Sequence, residues 1–300
     1  MLFILPIAVL AVIFEVALRN IPNNYSYKNN YLDKNSKDIQ VLILGSSHSF
    51  AGIDPTYLSF NSFNAAESSQ TLEFDYQIFK KYDDKWNNLK YIILPVDYFS
   101  FTSNLSASIE SWRIRYYELY YKINITGNIL NTFQVSSNLR VNLQKLRDFN
   151  FKNKSNITCS ALGRDLSYNS GRKRDLYSTA IAAAHQHRAI NNQYLKENII
   201  ALQSIIKLAA KHNVKVILYM SPAYKTYVQQ LNRQQLDNVI NVTKNIASAN
   251  RNAMYVNLLN DSTFKKVDFF DADHLNEIGA KKLTKKIDSL VKLIEYKNCK

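Results

Sequence analysis

Four short apolar runs, each closed by a turn signal or followed by a polar stretch, set the frame of this chain. Ile39–Leu44 ends at Gly45, Tyr91–Leu94 at Pro95, Val214–Met220 at Ser221-Pro222, and Met254–Asn257 is a shorter fourth. Runs of this kind read as strands buried on both faces, as in a parallel sheet. Helical patterns fall between them at about 70–81, 191–211, 225–249 and 276–294, the last with Leu283, Ile287, Leu290 and Leu293 on one face. Strands alternating with helices predict an α/β fold: a parallel sheet with helices on both sides. With 46% hydrophobic residues in 300, the chain can bury a full core, which excludes disorder as its main state. Only 6 Gly and 5 Pro stand against 20 Tyr and 15 Phe, so collagen-like and low-complexity architectures are excluded too.

Residues 1–18 are almost continuously apolar, interrupted once at Glu15. This length approaches the ~20 residues that cross a bilayer. No basic region precedes the run and no small-x-small site follows it, so it reads as a membrane anchor rather than a cleaved signal. The expected organisation is an anchor at 1–20, a polar linker at 21–37, and an α/β domain at 38–300 with a largely helical insertion at about 101–190. Flanking charge does not set the orientation, because Arg19 follows the run and no base precedes it.

The net charge is +14, and half of it is local: 140–188 holds ten bases against three acids. Arg172, Lys173 and Arg174 are its densest run and a candidate surface for an anionic partner. No zinc-finger spacing, RNP-like aromatic motif or basic-region heptad accompanies the charge, so nucleic acid is set aside. A membrane surface or an acidic polymer fits it at least as well.

In an open α/β sheet, reactive groups gather beyond the carboxyl ends of the strands. Those ends carry Gly45-Ser46-Ser47-His48-Ser49, Pro95-Val96-Asp97-Tyr98 and Ser221-Pro222-Ala223-Tyr224, and Asp271-Ala272-Asp273-His274-Leu275-Asn276 follows the fourth run. Together they offer a hydroxyl nucleophile, a base and an acid. A serine attacks a carbonyl only if a base takes its proton and donors hold the oxyanion. Asp271 and His274 are spaced so that the carboxylate can accept from Nδ1 and turn Nε2 outward. The alternative is that Asp271 or Asp273 merely caps the last helix. His48 reads as a loop side chain, and His185 and His187 as a polar helix face.

Gly45-Ser46-Ser47 after a buried strand, together with Asp271-x-x-His274 before the last helix, resembles the SGNH (GDSL-type) hydrolase superfamily. The resemblance implies a three-layer α/β/α, flavodoxin-like domain in which Ser47 is the nucleophile, His274 the base and Asp271 its orienter. It also implies an oxyanion hole at Ser47, at Ser69 in place of the family's Gly, and at Asp97 in place of its Asn. An ionised carboxylate there would repel an oxyanion. With the N-terminal run, the motifs are similar to the branch of membrane-anchored envelope proteins that includes the teichoic-acid D-alanyl transfer protein and polysaccharide O-acetylation proteins. That similarity implies an extracytoplasmic domain, a cell-envelope glycan as substrate, and a membrane-bound O-acyltransferase as partner.

The expected activity is therefore serine-dependent acyl transfer or ester hydrolysis, which share an acyl-enzyme and differ in the acceptor. The alternative is a catalytically inactive, membrane-tethered scaffold that binds an anionic polymer or an acyltransferase. No cofactor is implied. No metal site is expected either, because His185, His187 and His212 lack a carboxylate or thiolate at ligand spacing. Cys159 and Cys299 show no C-x-x-C spacing, and whether they pair is left open.

Overall fold

The computed structural model describes residues 4–125, 127–172 and 174–298. The chain divides into two compact units: the segment up to Lys34 with Ile109–Thr158, and Asn35–Ser108 with Cys159 onward. In chain order the elements are α1 (Ile4–Arg19), α2 (Asn24–Asn35), β1 (Val41–Ile43), α3 (Ser47–Gly52), β2 (Ser62–Asn64), α4 (Leu72–Lys81) and β3 (Tyr91–Pro95). There follow α5 (Ile114–Tyr116), α6 (Leu139–Lys152), α7 (Ser178–His187), α8 (Leu195–Lys211), β4 (Lys215–Met220), α9 (Lys225–Val228), α10 (Arg233–Ser248), β5 (Ala253–Asn257) and α11 (Glu277–Asn298).

The larger unit is built on a five-stranded parallel sheet in the order β2-β1-β3-β4-β5. Chain direction across the sheet reverses between β1 and β3, and ligands of open α/β sheets bind outside the carboxyl ends at that switch point. Alternate strand residues face opposite sides. Val41, Ile43, Tyr91, Ile93, Ile217 and Tyr219 pack with Leu283, Ile287 and Val291 of α11. Their neighbours Leu42, Ile92, Val216 and Leu218 are also fully buried, so both faces are covered. The three α11 residues recur every fourth position, one stripe of the helix. On α8, Ala201, Leu202, Ile205, Ile206 and Ala209 form such a stripe, and α8 packs against α4.

Strand β2 escapes the sequence reading because Ser62-Phe63-Asn64 carries no apolar run; its pairing with β1 defines it. The helix expected over 225–249 is two. Asn232 adopts extended backbone and its Oδ1 accepts from Gln235 N at 3.0 Å, so α10 starts anew there. The expected insertion at 101–190 is also divided. Its last third returns to the sheet unit, where Leu162 O accepts from Asn64 N (2.9 Å) and Phe50 O accepts from Asp165 N (2.9 Å). Gly163 makes this possible: at φ +91°, a Cβ there would lie 2.1 Å from Asn64 O.

In the smaller unit, the stretch expected to be a linker folds into α2. Asn23 and Ser26 cap it reciprocally: Ser26 N donates to Asn23 Oδ1 (3.1 Å) and Asn23 N to Ser26 Oγ (3.3 Å). Tyr25 and Leu32 are buried, and Tyr25 stacks on Tyr116 at 5.0 Å between centroids. The tyrosines of 116–121 are thus packing residues. The N-terminal run forms α1, whose 16 described residues rise about 24 Å. No helix among the described residues is long and apolar enough to cross a membrane, so the expected membrane-spanning helix is not found among them. Residues 5–13 of α1 are exposed on every side, while Glu15 is buried. Its carboxylate accepts from Gln134 N (3.0 Å), Val135 N (2.8 Å) and Arg19 Nε (2.6 Å).

Candidate active site

Strand β1 ends at a turn only glycine can make. Gly45 has φ +115°, and a Cβ there would lie 2.3 Å from Pro95 Cδ. The buried Asp75 on α4 fixes this turn: its Oδ1 accepts from Gly45 N (2.7 Å) and from Gln70 Nε2 (2.6 Å). Burial pushes the Asp75 carboxyl up to about 7, against the pull of these two donors. Beyond the turn, Ser46 caps α3 and Ser47 takes its first position, so the Ser47 hydroxyl stands at the carboxyl end of β1.

The loop before α11 brings the second half. Asn276 caps that helix, its Oδ1 accepting from Ile278 N (2.9 Å) and Gly279 N (3.1 Å), which leaves Asp271 and Asp273 for other work. Asp271 Oδ1 accepts from Asp273 N (3.2 Å), His274 N (2.8 Å) and His274 Nδ1 (2.9 Å). One oxygen thus shapes the loop and orients the ring. With Nδ1–H committed to Asp271, His274 Nε2 accepts from Ser47 Oγ at 2.8 Å. Burial pushes the His274 imidazole down, but the Asp273 and Asp271 carboxylates overcome it and hold it well above the ordinary histidine value.

The oxyanion positions fare unequally. Ser69 has φ +59°, the left-handed backbone that a glycine in its place adopts freely. Its turn is tied to the loop before Ser47 by Glu67 N donating to Gly45 O at 3.1 Å. Among the described residues, neither Ser47 N–H nor Ser69 N–H gives a hydrogen bond, so both are open donors. Asp97 is no donor, and its expected oxyanion role is corrected. Its Oδ1 accepts from Ser221 N (2.7 Å), and its Oδ2 from His48 Nδ1 (2.8 Å) and Ser221 Oγ (3.2 Å). Nearby on β2, the Asn64 amide donates to Ser49 O (2.9 Å) and Ile53 O (2.8 Å), tying that strand's end to α3.

Three members of the cluster have their importance hidden in sequence. His48, read as a loop side chain, is buried between Asp97 and Asp273, with Nε2 3.3 Å from Asp273 Oδ2. Its ring centroid lies 4.9 Å from that of His274. His187, read as part of a polar helix face, has Nδ1 2.8 Å from Tyr227 Oη and its ring 4.2 Å from Phe99. Burial drives its imidazole down to about 4, despite the nearby Asp273 carboxylate. Asp273 Oδ1 is 3.5 Å from His274 Nδ1. The one signal available in sequence was the placement of His48 and Asp97 at two neighbouring strand ends. His48, Asp273 and His274 present ligand atoms within 4.8 Å of one another, as a metal site would. Those atoms are already committed to one another, to Asp97, to Asp271 and to Ser47 by hydrogen bonds.

The bases of the 140–188 segment divide between the two units. Arg164 is buried, its Nε donating to Ala51 O at 3.1 Å. Arg172 and Arg174 are exposed, and Lys173 lies outside the described residues. Arg174 N donates to Phe270 O (2.7 Å), and its guanidinium stands 5.4 Å over the Phe270 ring, beside the loop that carries Asp271 and His274. Tyr168, just before, sets its ring 4.9 Å from His274.

No family model matches the sequence, and no curated protein matches it. Solved structures similar to it include a GDSL-like lipase and an acylhydrolase. The acylhydrolase, from Bacteroides fragilis, shares 11% identity at a TM-score of 0.41, covering 87% of this chain and 95% of that one. The lipase, from Bacteroides thetaiotaomicron, shares 14% at 0.38, covering 90% and 100%. A protein described as a platelet activating factor, from Streptococcus pneumonia, shares 10% at 0.44, covering 96% and 98%. Likeness this slight carries no argument about chemistry, which rests on the side chains.

Proposed function

We propose that this chain is a serine-dependent ester hydrolase or acyl transferase of the SGNH type. What supports the reading is the unbroken run from Ser47 Oγ through His274 to Asp271, at the sheet's switch point and beside two open backbone donors. Ser47 Oγ adds to the ester carbonyl as its proton passes to His274 Nε2, while Asp271 stabilises the imidazolium. Ser47 N–H and Ser69 N–H face the oxyanion. The tetrahedral centre collapses, the leaving alcohol takes the proton from Nε2, and Ser47 is left acylated. Water or a sugar hydroxyl then gives its proton to Nε2 and attacks, which makes the enzyme a hydrolase or a transferase.

The substrate class in this reading is an acyl ester of a cell-envelope glycan, with exposed Arg172 and Arg174 meeting its anionic groups. The apolar turns of α1 seat the protein on a lipid surface, where a membrane-bound O-acyltransferase is the acyl donor's source. The test is a serine-reactive phosphonate with adduct mapping by mass spectrometry. Labelling at Ser47 that disappears in His274→Ala supports the reading. A folded protein, assayed with and without lipid vesicles, that never labels at Ser47 overturns it.

A further inference from the structure

The site holds three carboxylates, Asp97, Asp271 and Asp273, and three imidazoles, His48, His187 and His274. Ser47 and Asp271 account for His274. His48, on the first turn of α3 next to the nucleophile, has no part in that chemistry, yet both its ring nitrogens meet carboxylates: Asp97 Oδ2 at 2.8 Å and Asp273 Oδ2 at 3.3 Å. Asp97 is held from its other side by Ser221 N and Ser221 Oγ, both donors, so the His48–Asp97 contact draws its hydrogen from the ring. A ring donating from both nitrogens is an imidazolium. Burial opposes that charge, and the Asp97 and Asp273 carboxylates outweigh it, holding His48 at about 9.

Asp273 is the pivot. Its Oδ2 faces His48, and its Oδ1 is the second carboxylate oxygen addressing His274 Nδ1, at 3.5 Å against 2.9 Å for Asp271. Were His48 uncharged, the buried Asp273 would have His274 as its nearest cation. It would draw Nδ1 from Asp271 and hold the proton on the ring. The groups facing His274 are Asp271, Asp273, Tyr168, His48 and Ser47. Those facing His48 are Asp97, Asp273, His187 and His274, with Phe99 against its ring.

We propose that His48 is a positioning residue: its doubly hydrogen-bonded ring clamps and charge-balances Asp273, leaving Asp271 as the orienter of His274 and freeing His274 to act as base. The inference rests on the serine reading given above. Its test has a readout independent of turnover. The imidazole of His274 is titrated by NMR in wild type, His48→Gln, Asp273→Asn and the double variant, and the pH dependence of Ser47 acylation is followed beside it. In His48→Gln the His274 midpoint and the acid limb of acylation move up by at least one pH unit, a tenfold loss of rate below the limb. The plateau above the limb survives. Adding Asp273→Asn brings both back to or below their wild-type position, and Asp273→Asn alone moves them down, which keeps the test open should His48→Gln not fold.

A His274 midpoint unmoved in every variant overturns the proposal, as does a lowered plateau with an unmoved limb, the mark of a merely structural side chain. If His274 titrates as expected but Ser47 never acylates in wild type, the serine reading fails while the charge device stands.

Discussion

An imidazole that must accept a proton from Ser47 works only while it is neutral. Burial favours the neutral form of His274, but the two carboxylates beside it favour the charged form more strongly. Because its proton affinity is raised, the base form fills only above the ordinary histidine value of about 6.5. The rate of Ser47 acylation by an aryl ester or phosphonate is therefore expected to fall tenfold per pH unit below a limb that lies above 6.5. A stopped-flow profile with its limb at or under 6.5 would contradict this. Asp271→Asn separates shape from charge, since an amide oxygen still accepts from Asp273 N, His274 N and His274 Nδ1. Only the negative charge is lost, so the expected outcome is a rate lower by on the order of 10^3-fold with the acid limb moved down and the melting temperature kept. A rate within tenfold of wild type would remove Asp271 from the mechanism. Ser47, Asp271 and His274 were legible in sequence because position alone marks them: one follows a buried strand, two precede a helix. His48, His187 and Asp273 were not, because their roles come from partners 40 to 225 residues away.

At the scale of elements, strands that are buried on both faces announce themselves as apolar runs, and β1, β3, β4 and β5 lie within a residue or two of where those runs fall. What sequence hides are elements held by tertiary bonds rather than by composition. Strand β2 is three residues long and exists through its register with β1. Helix α2 is polar and exists through its capping pair and buried Tyr25 and Leu32. The joint between β1, α3 and α4 is of the same kind, because Asp75 accepts from both Gly45 N and Gln70 Nε2. Its folded value of about 7 lies above the ordinary carboxyl value, so it contributes stability that is full below pH ~3.9 and is lost as pH rises through 7. Asp75→Asn keeps an acceptor for both donors and cannot ionise. Its melting temperature is expected to lose the decline between pH 4 and 7 that wild type shows. Asp75→Ala leaves Gly45 N–H buried without an acceptor, at a cost of about 1–3 kcal/mol at neutral pH, and slows Ser47 acylation by loosening its turn. Parallel pH profiles of wild type and Asp75→Asn in calorimetry would refute the assignment.

Over the whole molecule, the feature that composition cannot place is α1. Its exposed turns, residues 5–13, carry no charged or hydrogen-bonding side chain, and they are bare on every side rather than along one stripe. A protein partner resting on one face would leave the others in water, whereas hydrocarbon surrounds a helix evenly. The one acid of the helix is withdrawn into its own unit, where three donors satisfy it. No charged side chain of those turns therefore has to leave water when they enter lipid, and about 14 Å of helix, one leaflet's depth, can be covered. The expected result is that the full chain floats with phosphatidylglycerol-containing vesicles. The Leu10→Lys, Ile13→Lys variant stays below, since each lysine costs about 3 kcal/mol in hydrocarbon. Ser47 labelling in that variant should equal wild type, because neither position belongs to the sheet unit. Equal flotation of the two proteins would show that the bare turns of α1 are not what meets the lipid. Glu15→Ala tests the other end of the same helix: it strips Gln134 N and Val135 N of their acceptor and should lower the melting temperature of the smaller unit without reducing flotation.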